Sequence, residues 1–148
     1  MMITCEAAQA EQYEQFMQLM HDEAREYLRS TMELMQMTQE KFDSLFRTVG
    51  QVYAIYEDQR LAGFYWIEQR EKILHLHALI LKSQLQSRGI GSKVLNMLAS
   101  QYKNKVNSIE LGVHDSNERA IRMYERQGFG TVKQIHDLNF RIMRKQIS

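Results

Sequence analysis

The order of β-rich runs and amphipathic stretches predicts an α/β fold of about seven strands and about four helices. Three observations carry this. Apolar residues recur at helical spacing from Ala10 to about Arg29 and again after Thr38. Runs of β-forming residues follow, two of them flanking a polar tetrapeptide. Near the middle, a long apolar run passes through a polar turn directly into a second amphipathic stretch.

Taken in order, Met2 to Glu6 is short and partly apolar and reads as a first strand. From Ala10 to about Arg29, Tyr13, Phe16, Met17, Met20, Ala24, Tyr27 and Leu28 form one face of a single amphipathic helix. Thr38 is placed to cap a second helix carrying Phe42, Leu45, Phe46 and Val49, with Gly50 positioned to end it in a left-handed conformation. Val52 to Tyr56 and Leu61 to Glu68 flank Glu57-Asp58-Gln59-Arg60 and predict a hairpin. Ile73 to Leu81 is a longer, more apolar strand, Lys82 to Arg88 a turn, and Ile90 to Lys105 a helix with Val94, Leu95, Leu98, Ala99 and Tyr102 inward. Ser108 to His114 is another strand and Asn117 to Gln127 a helix ended by Gly128. Thr131 to His136 and Leu138 to Arg144 make a closing strand pair.

No repeat, low-complexity tract or Gly/Ser linker interrupts this order, proline is absent, and a chain of 148 residues is the size of one domain, so residues 1–148 are expected to fold as one unit. No apolar run approaches the roughly 20 residues needed to cross a bilayer, which excludes a helical membrane span. Met1 to Glu14 does not pair a basic segment with an apolar one, so a cytoplasmic protein is expected. The single cysteine, Cys5, has no disulfide partner and no metal-ligand neighbours, and it reads as a small buried hydrophobe. No metal is expected.

Net charge is +1 but unevenly spread. Residues 1–45 hold three Lys/Arg against nine Asp/Glu, and residues 82–148 hold twelve against five. The basic residues are scattered rather than clustered with aromatics, which argues against nucleic acid and for a smaller anionic ligand.

Gln86-Ser87-Arg88-Gly89-Ile90-Gly91 sits where the apolar strand becomes a helix. Glycines there let main-chain N–H groups approach a ligand, and the helix N-terminus adds partial positive charge, so the segment suits a pyrophosphate. It lacks the Lys-Ser/Thr of a nucleotide-triphosphate loop, and no third Gly or Ala follows at the dinucleotide spacing. A second pattern lies downstream in Asn117, Ala120, Tyr124, Gly128 and Phe129, the first three on one helical face. Together, Q-x-x-G-x-G and N-x-x-A-x-x-x-Y-x-x-x-G-F, separated by one helix and one strand, resemble the GNAT superfamily of acetyl-CoA-dependent amine N-acetyltransferases.

That resemblance implies a mixed central sheet whose fourth and fifth strands, here Ile73 to Leu81 and Ser108 to His114, splay apart to admit the pantetheine arm of acetyl-CoA. Leu79, Ile80 and Leu81 match the strand edge that binds the arm. Gln86, Ser87, Arg88, Gly89, Ile90, Gly91 and Ser92 match the pyrophosphate turn, while Asn117 and Ala120 lie along the arm. Tyr124 matches the general acid that protonates the departing thiolate. The same likeness leaves a non-catalytic acyl-CoA-binding module as another reading, and it leaves the oligomeric state open between monomer and homodimer.

The base is less determined. Family glutamates are not reproduced: His75 stands where histone-type members place one, and Gly112 where ribosomal-protein N-terminal acetyltransferases do. His75, His77 and His114 titrate near neutrality and can take a proton; Glu68 and Glu110 are further candidates. The acidic N-terminal third borders the acceptor side of the resembled fold, and Glu23, Glu26 and Glu33 favour a small cationic amine such as a polyamine. A protein N-terminus is the alternative acceptor.

Overall fold

Ala10–Arg29 does not form one helix. A computed structural model describes residues 2–148, and in it the chain breaks at Ala24 (φ −140°, ψ 40°), so α1 (Gln12–Glu23) is followed at once by α2 (Arg25–Met35). Neither glycine nor proline marks the break. It is held by tertiary contacts: Phe16, Met17 and Met20 of α1 pack into the core, while α2 swings across the sheet until the Tyr27 hydroxyl donates to the main-chain oxygen of His77. Among the described residues five α-helices therefore replace the expected four or so.

The other elements lie close to their expected places. β1 (Ile3–Ala7) precedes α1, and α3 (Gln39–Thr48) begins at Thr38, whose hydroxyl accepts from the Lys41 N–H at 3.1 Å. β2 (Gln51–Glu57) and β3 (Arg60–Arg70) are joined through Asp58 and Gln59, both at positive φ (49° and 75°), the geometry of a tight two-residue hairpin. β4 (Ile73–Leu81), α4 (Ile90–Tyr102), β5 (Ser108–His114), α5 (Glu118–Arg126), β6 (Gly130–Ile135) and β7 (Phe140–Gln146) complete the chain. The sheet runs β1-β2-β3-β4-β5-β7-β6, and only the β4–β5 pair is parallel. It is the mixed seven-stranded sheet expected.

Each face of the sheet carries its own core. One holds Leu74, Leu76, Ile90, Val94, Leu98 and Tyr124 beneath α4 and α5. The other holds Phe16, Met20, Phe42, Phe46, Phe64 and Trp66 beneath α1 and α3. β4 serves both. Trp66 pairs with Ala78 and Ile67 with Leu76, which leaves His77 as an extra residue, a β-bulge. The bulge reverses the strand's alternation: before it Leu74 and Leu76 face the α4/α5 core, after it Leu79 and Leu81 do, while Ala78 and Ile80 turn to the other side.

Candidate active site

The bulge falls where β4 and β5 part. Their ladder runs from Ile73 opposite Ser108 to Leu76 opposite Leu111 and stops there; beyond it β4 stays on β3 and β5 on β7. The gap opens a cleft of about 630 Å³, lined by β4 from Leu76 to Leu81, by β5 from Leu111 to His114, by the turn after β4 and by the α1–α2 junction. The expected splay is thus present, and its cause is local: a strand that changes faces cannot follow a regular neighbour.

At one end of the cleft lies the glycine turn. Ser87 (φ 63°) and Gly89 (φ 85°) both take left-handed angles, and a Cβ at Gly89 would meet nothing within 4 Å, so glycine there serves the backbone angle alone. Gly91 serves a close approach instead, since a Cβ would stand 2.9 Å from the Met123 sulfur of α5. Gln86 ties the turn down: its amide nitrogen donates to the Leu81 carbonyl (3.0 Å) and to the Glu23 carboxylate (3.1 Å), while its oxygen accepts from Arg119 (3.0 Å). Gln86, Ser87, Gly89, Gly91 and Ser92 line the cleft.

Two residues of the motif point elsewhere. Ile90 is fully buried in the α4/α5 core. Arg88 does not line the cleft; its guanidinium lies 3.1 Å from the carboxylate of Glu57, which is 2% exposed and also pairs with Arg60 at 3.0 Å. Besides Gln86, the motif positions that enter the cleft are glycines and serines.

Beside the turn stands α5, which meets it through Met123 and Arg119. The Asn117 side chain accepts from the Ala120 N–H at 3.2 Å and starts the helix, which sets Ala120, Met123 and Tyr124 along the cleft. The Phe129 N–H donates to the Tyr124 carbonyl (3.0 Å) and the two rings lie 5.7 Å apart, so the Gly128-Phe129 pair (Gly128 φ 95°) closes the helix onto the tyrosine. Burial, with Tyr27 nearby, pushes the Tyr124 hydroxyl well above its ordinary value, so it is protonated at neutral pH.

A backbone gap between parallel strands, a glycine turn at one end and a buried tyrosine at the other occur here with the two motifs that suggested them. Residues 13–129, well over half the chain, match the Acetyltransferase (GNAT) family. The chain belongs to the GNAT acetyltransferases. Solved structures of this fold cover nearly all of it. A PaiA N-acetyltransferase from Thermoplasma acidophilum in complex with coenzyme A is 21% identical (TM-score 0.68, 99% of each chain covered). A GNAT family acetyltransferase from Elizabethkingia anophelis with acetyl-CoA bound is 16% identical (TM-score 0.71, 97% of each). The ribosomal-protein-S18-alanine N-acetyltransferase of Escherichia coli is 18% identical (TM-score 0.68, 99% of this chain and 95% of that one).

Within this GNAT cleft the histidines separate. His77 and His114 line it; His75 does not, its ring stacking 6.0 Å from that of His77. The His77 Nε2 lies 2.8 Å from the Glu68 carboxylate, and burial lowers its proton affinity, with Glu68 opposing. Burial lowers that of His75 as well, with Arg70 adding to it. His114 Nδ1 accepts from the Ser116 N–H (3.1 Å) and lies 2.7 Å from that residue's hydroxyl. At Gly112 a Cβ would stand 2.5 Å from the Phe140 ring, so the space an acid would need on β5 is filled, and Glu110, two residues earlier, is paired with Arg144 at 2.6 Å.

Asp22, Glu23 and Glu26 border the cleft from the α1–α2 junction, opposed by Arg25, Arg119 and Arg126; Glu33 does not reach it. Tyr27, Glu57 and the Gln86–Glu23 link were hidden in the sequence. Tyr27 scans as one more apolar helix position, and Glu57 as part of a polar turn. Among the described residues, no group of three or more His, Cys, Asp or Glu is placed to hold a metal, and no helix is long and apolar enough to cross a membrane.

Proposed function

We propose that this chain, acting as one domain over residues 1–148 in the cytoplasm, transfers an acetyl group from acetyl-CoA to a primary amine, with Tyr124 as general acid. The observation that carries it is the cleft itself, which joins the turn at Gln86–Ser92 to Tyr124 through the gap between β4 and β5. An extended arm bearing amides pairs with the free edge at Leu79, Ile80 and Leu81 as an added strand would. The turn receives the pyrophosphate on main-chain N–H groups at the start of α4, and Asn117 and Ala120 flank the arm. Ile90 and Arg88 contribute main chain.

Attack on the thioester requires a neutral amine, a polarised carbonyl and a proton for the thiolate. Ordinary values of about 10 for tyrosine and 8.5 for a thiol make the last transfer uphill by roughly 2 kcal/mol. Burial raises Tyr124 further, but it raises a thiol in the same place too, so the mismatch stays of that order.

The acceptor we propose is a small cationic amine held by Asp22, Glu23 and Glu26; of the histidines expected near the reaction, His114 lines the cleft and His75 lies outside it. Transfer to protein N-termini is the second reading; the filled space at Gly112 weighs against it, because no acid can stand there.

The test is binding and turnover. Acetyl-CoA at about 100 times its Kd should add roughly 2.7 kcal/mol to folding stability, and NAD or ATP far less. Thiol release should then depend on an amine drawn from a panel of polyamines, lysine-like amines and peptides. Equal melting shifts for all three nucleotides would defeat the cofactor assignment, and binding with no amine-dependent thiol release would leave a non-catalytic acyl-CoA module.

A further inference from the structure

Of the three histidines near the splay, one is held as a base should be. We propose that His77 is the general base of the acetyl transfer and that Glu68 is the residue that positions it. This rests on the acetyltransferase reading of the cleft.

Position comes first. His77 is the extra residue of the β4 bulge, at the point where the β4–β5 ladder ends, and it lines the cleft. Its ring lies 4.7 Å from Trp66, in the core beneath α1 and α3, while Tyr124 belongs to the core beneath α4 and α5. Acid and base thus flank the gap from opposite faces of the sheet. Orientation is fixed at both ends of the residue: Glu68 takes Nε2, Trp66 packs against the ring, and the Tyr27 hydroxyl holds the main-chain oxygen.

Tautomers separate His77 from His114. An ionised Glu68 only accepts, so the His77 Nε2 carries the hydrogen and Nδ1 keeps its lone pair. His114 is reversed. Its Nδ1 already accepts from the Ser116 N–H, so in the neutral ring Nε2 carries the hydrogen and no lone pair is left for an amine. The charged and titratable groups around His77 are Glu68 and Arg70 on β3, His75 on β4, Glu110 on β5 beside His75, and the Tyr27 hydroxyl on α2. Burial and Arg70 favour the neutral ring and Glu68 opposes them, so the base is free at neutral pH.

The protons balance. His77 Nδ1 takes one from the ammonium, which frees the amine to attack the thioester carbon. As the C–N bond forms and the C–S bond breaks, Tyr124 gives its proton to the CoA sulfur. The second proton on the acetylated nitrogen restores Tyr124, and His77 releases its own to solvent.

The test is single-turnover thiol release by the full chain with acetyl-CoA and two probe acceptors, spermidine and an alanyl peptide, across the histidine and amine pH ranges. A limb common to both acceptors belongs to the enzyme, since their own amines titrate differently. His77→Gln should lower the rate by about 100-fold or more and abolish that limb, with the acetyl-CoA melting shift retained. Glu68→Gln should move the limb to lower pH, because it removes the charge that favours the protonated ring. A His77→Gln enzyme that keeps the wild-type rate and limb, or a limb that stays in place in Glu68→Gln, would overturn the proposal. If wild type itself releases no thiol, the parent reading fails and takes the dyad with it.

Discussion

The two walls of the cleft are built differently. The wall proposed to hold the cofactor (the end of β4, the turn, and the starts of α4 and α5) carries glycines and short side chains, Ser87, Gly89, Gly91, Ser92 and Ala120, that leave little between a ligand and the main chain. Its side chains either hold that chain in shape, as Gln86 and Asn117 do, or point into the core, as Ile90 does. The wall at the α1–α2 junction presents charged side chains, Asp22, Glu23, Arg25 and Glu26, and Arg119 and Arg126 of α5 line the same cleft. Peptide groups are the same in every protein, so a wall made of them must be read by the glycines and caps that shape it. A wall of side chains can change its ligand without changing its fold.

Substitutions can break or sharpen that contrast. The largest effect is expected at Tyr124, the side chain of the first wall that is proposed to react. Tyr124→Phe keeps the ring packing and removes the donor, so turnover should fall about 10- to 1,000-fold with acetyl-CoA binding nearly unchanged. Wild-type turnover in that variant, with chemistry rate-limiting, would make Tyr124 a packing residue.

A smaller effect is expected from behind the same wall. Glu57 holds Arg88 in the middle of the turn without touching the cleft. Glu57→Gln should loosen the turn by about 1 kcal/mol, or roughly five-fold in the acetyl-CoA Kd, and leave kcat in place. An unchanged Kd in titration calorimetry would show that the turn keeps its shape without the buried carboxylate.

The smallest effect belongs to the charged wall. Charge reversal at Glu23 and Glu26 should raise the KM of a polyamine a few-fold, and added salt should do likewise, because partly exposed carboxylates act through a screened field. Glu23 also accepts from Gln86, so its single variant should raise the acetyl-CoA KM slightly, whereas that of Glu26 should not. Indifference of every amine to both changes would turn attention to peptide N-termini.

The same contrast explains what the sequence showed. Ile73–Leu81 and Ser108–His114 were legible residue for residue, because runs of β-forming residues between polar turns allow no other assignment. The turn and the α5 motif were legible because tight backbone geometry demands particular residue types. The break at Ala24 was not, since no local residue requires it; it exists because Tyr27 reaches the β4 bulge. The bulge was hidden too. From Leu74 the first half of β4 is apolar on alternate residues and the second half throughout, and only pairing with β3 shows that Leu76 and Ala78 face different cores. Glu68 meets His77 across the β3–β4 hairpin and Glu57 meets Arg88 of the turn, pairings that depend on strand register and chain path rather than on a local pattern.

The bulge gives His77 a relation to strand length that no other residue of β4 has. Deleting His77 itself would keep Trp66 opposite Ala78 and Ile67 opposite Leu76, and would leave Leu74, Leu76, Leu79 and Leu81 in plain alternation on the face they already hold. Ala78 and Ile80 would likewise stay on the face of α1 and α3, so both cores would be kept and only the local irregularity lost. A deletion here is therefore unlike one elsewhere in a regular strand, where every following side chain changes face: it removes the irregularity at which β4 leaves β5 and nothing else. A chain shortened at His77 should keep its fold and lose the cleft, read as a lost acetyl-CoA melting shift.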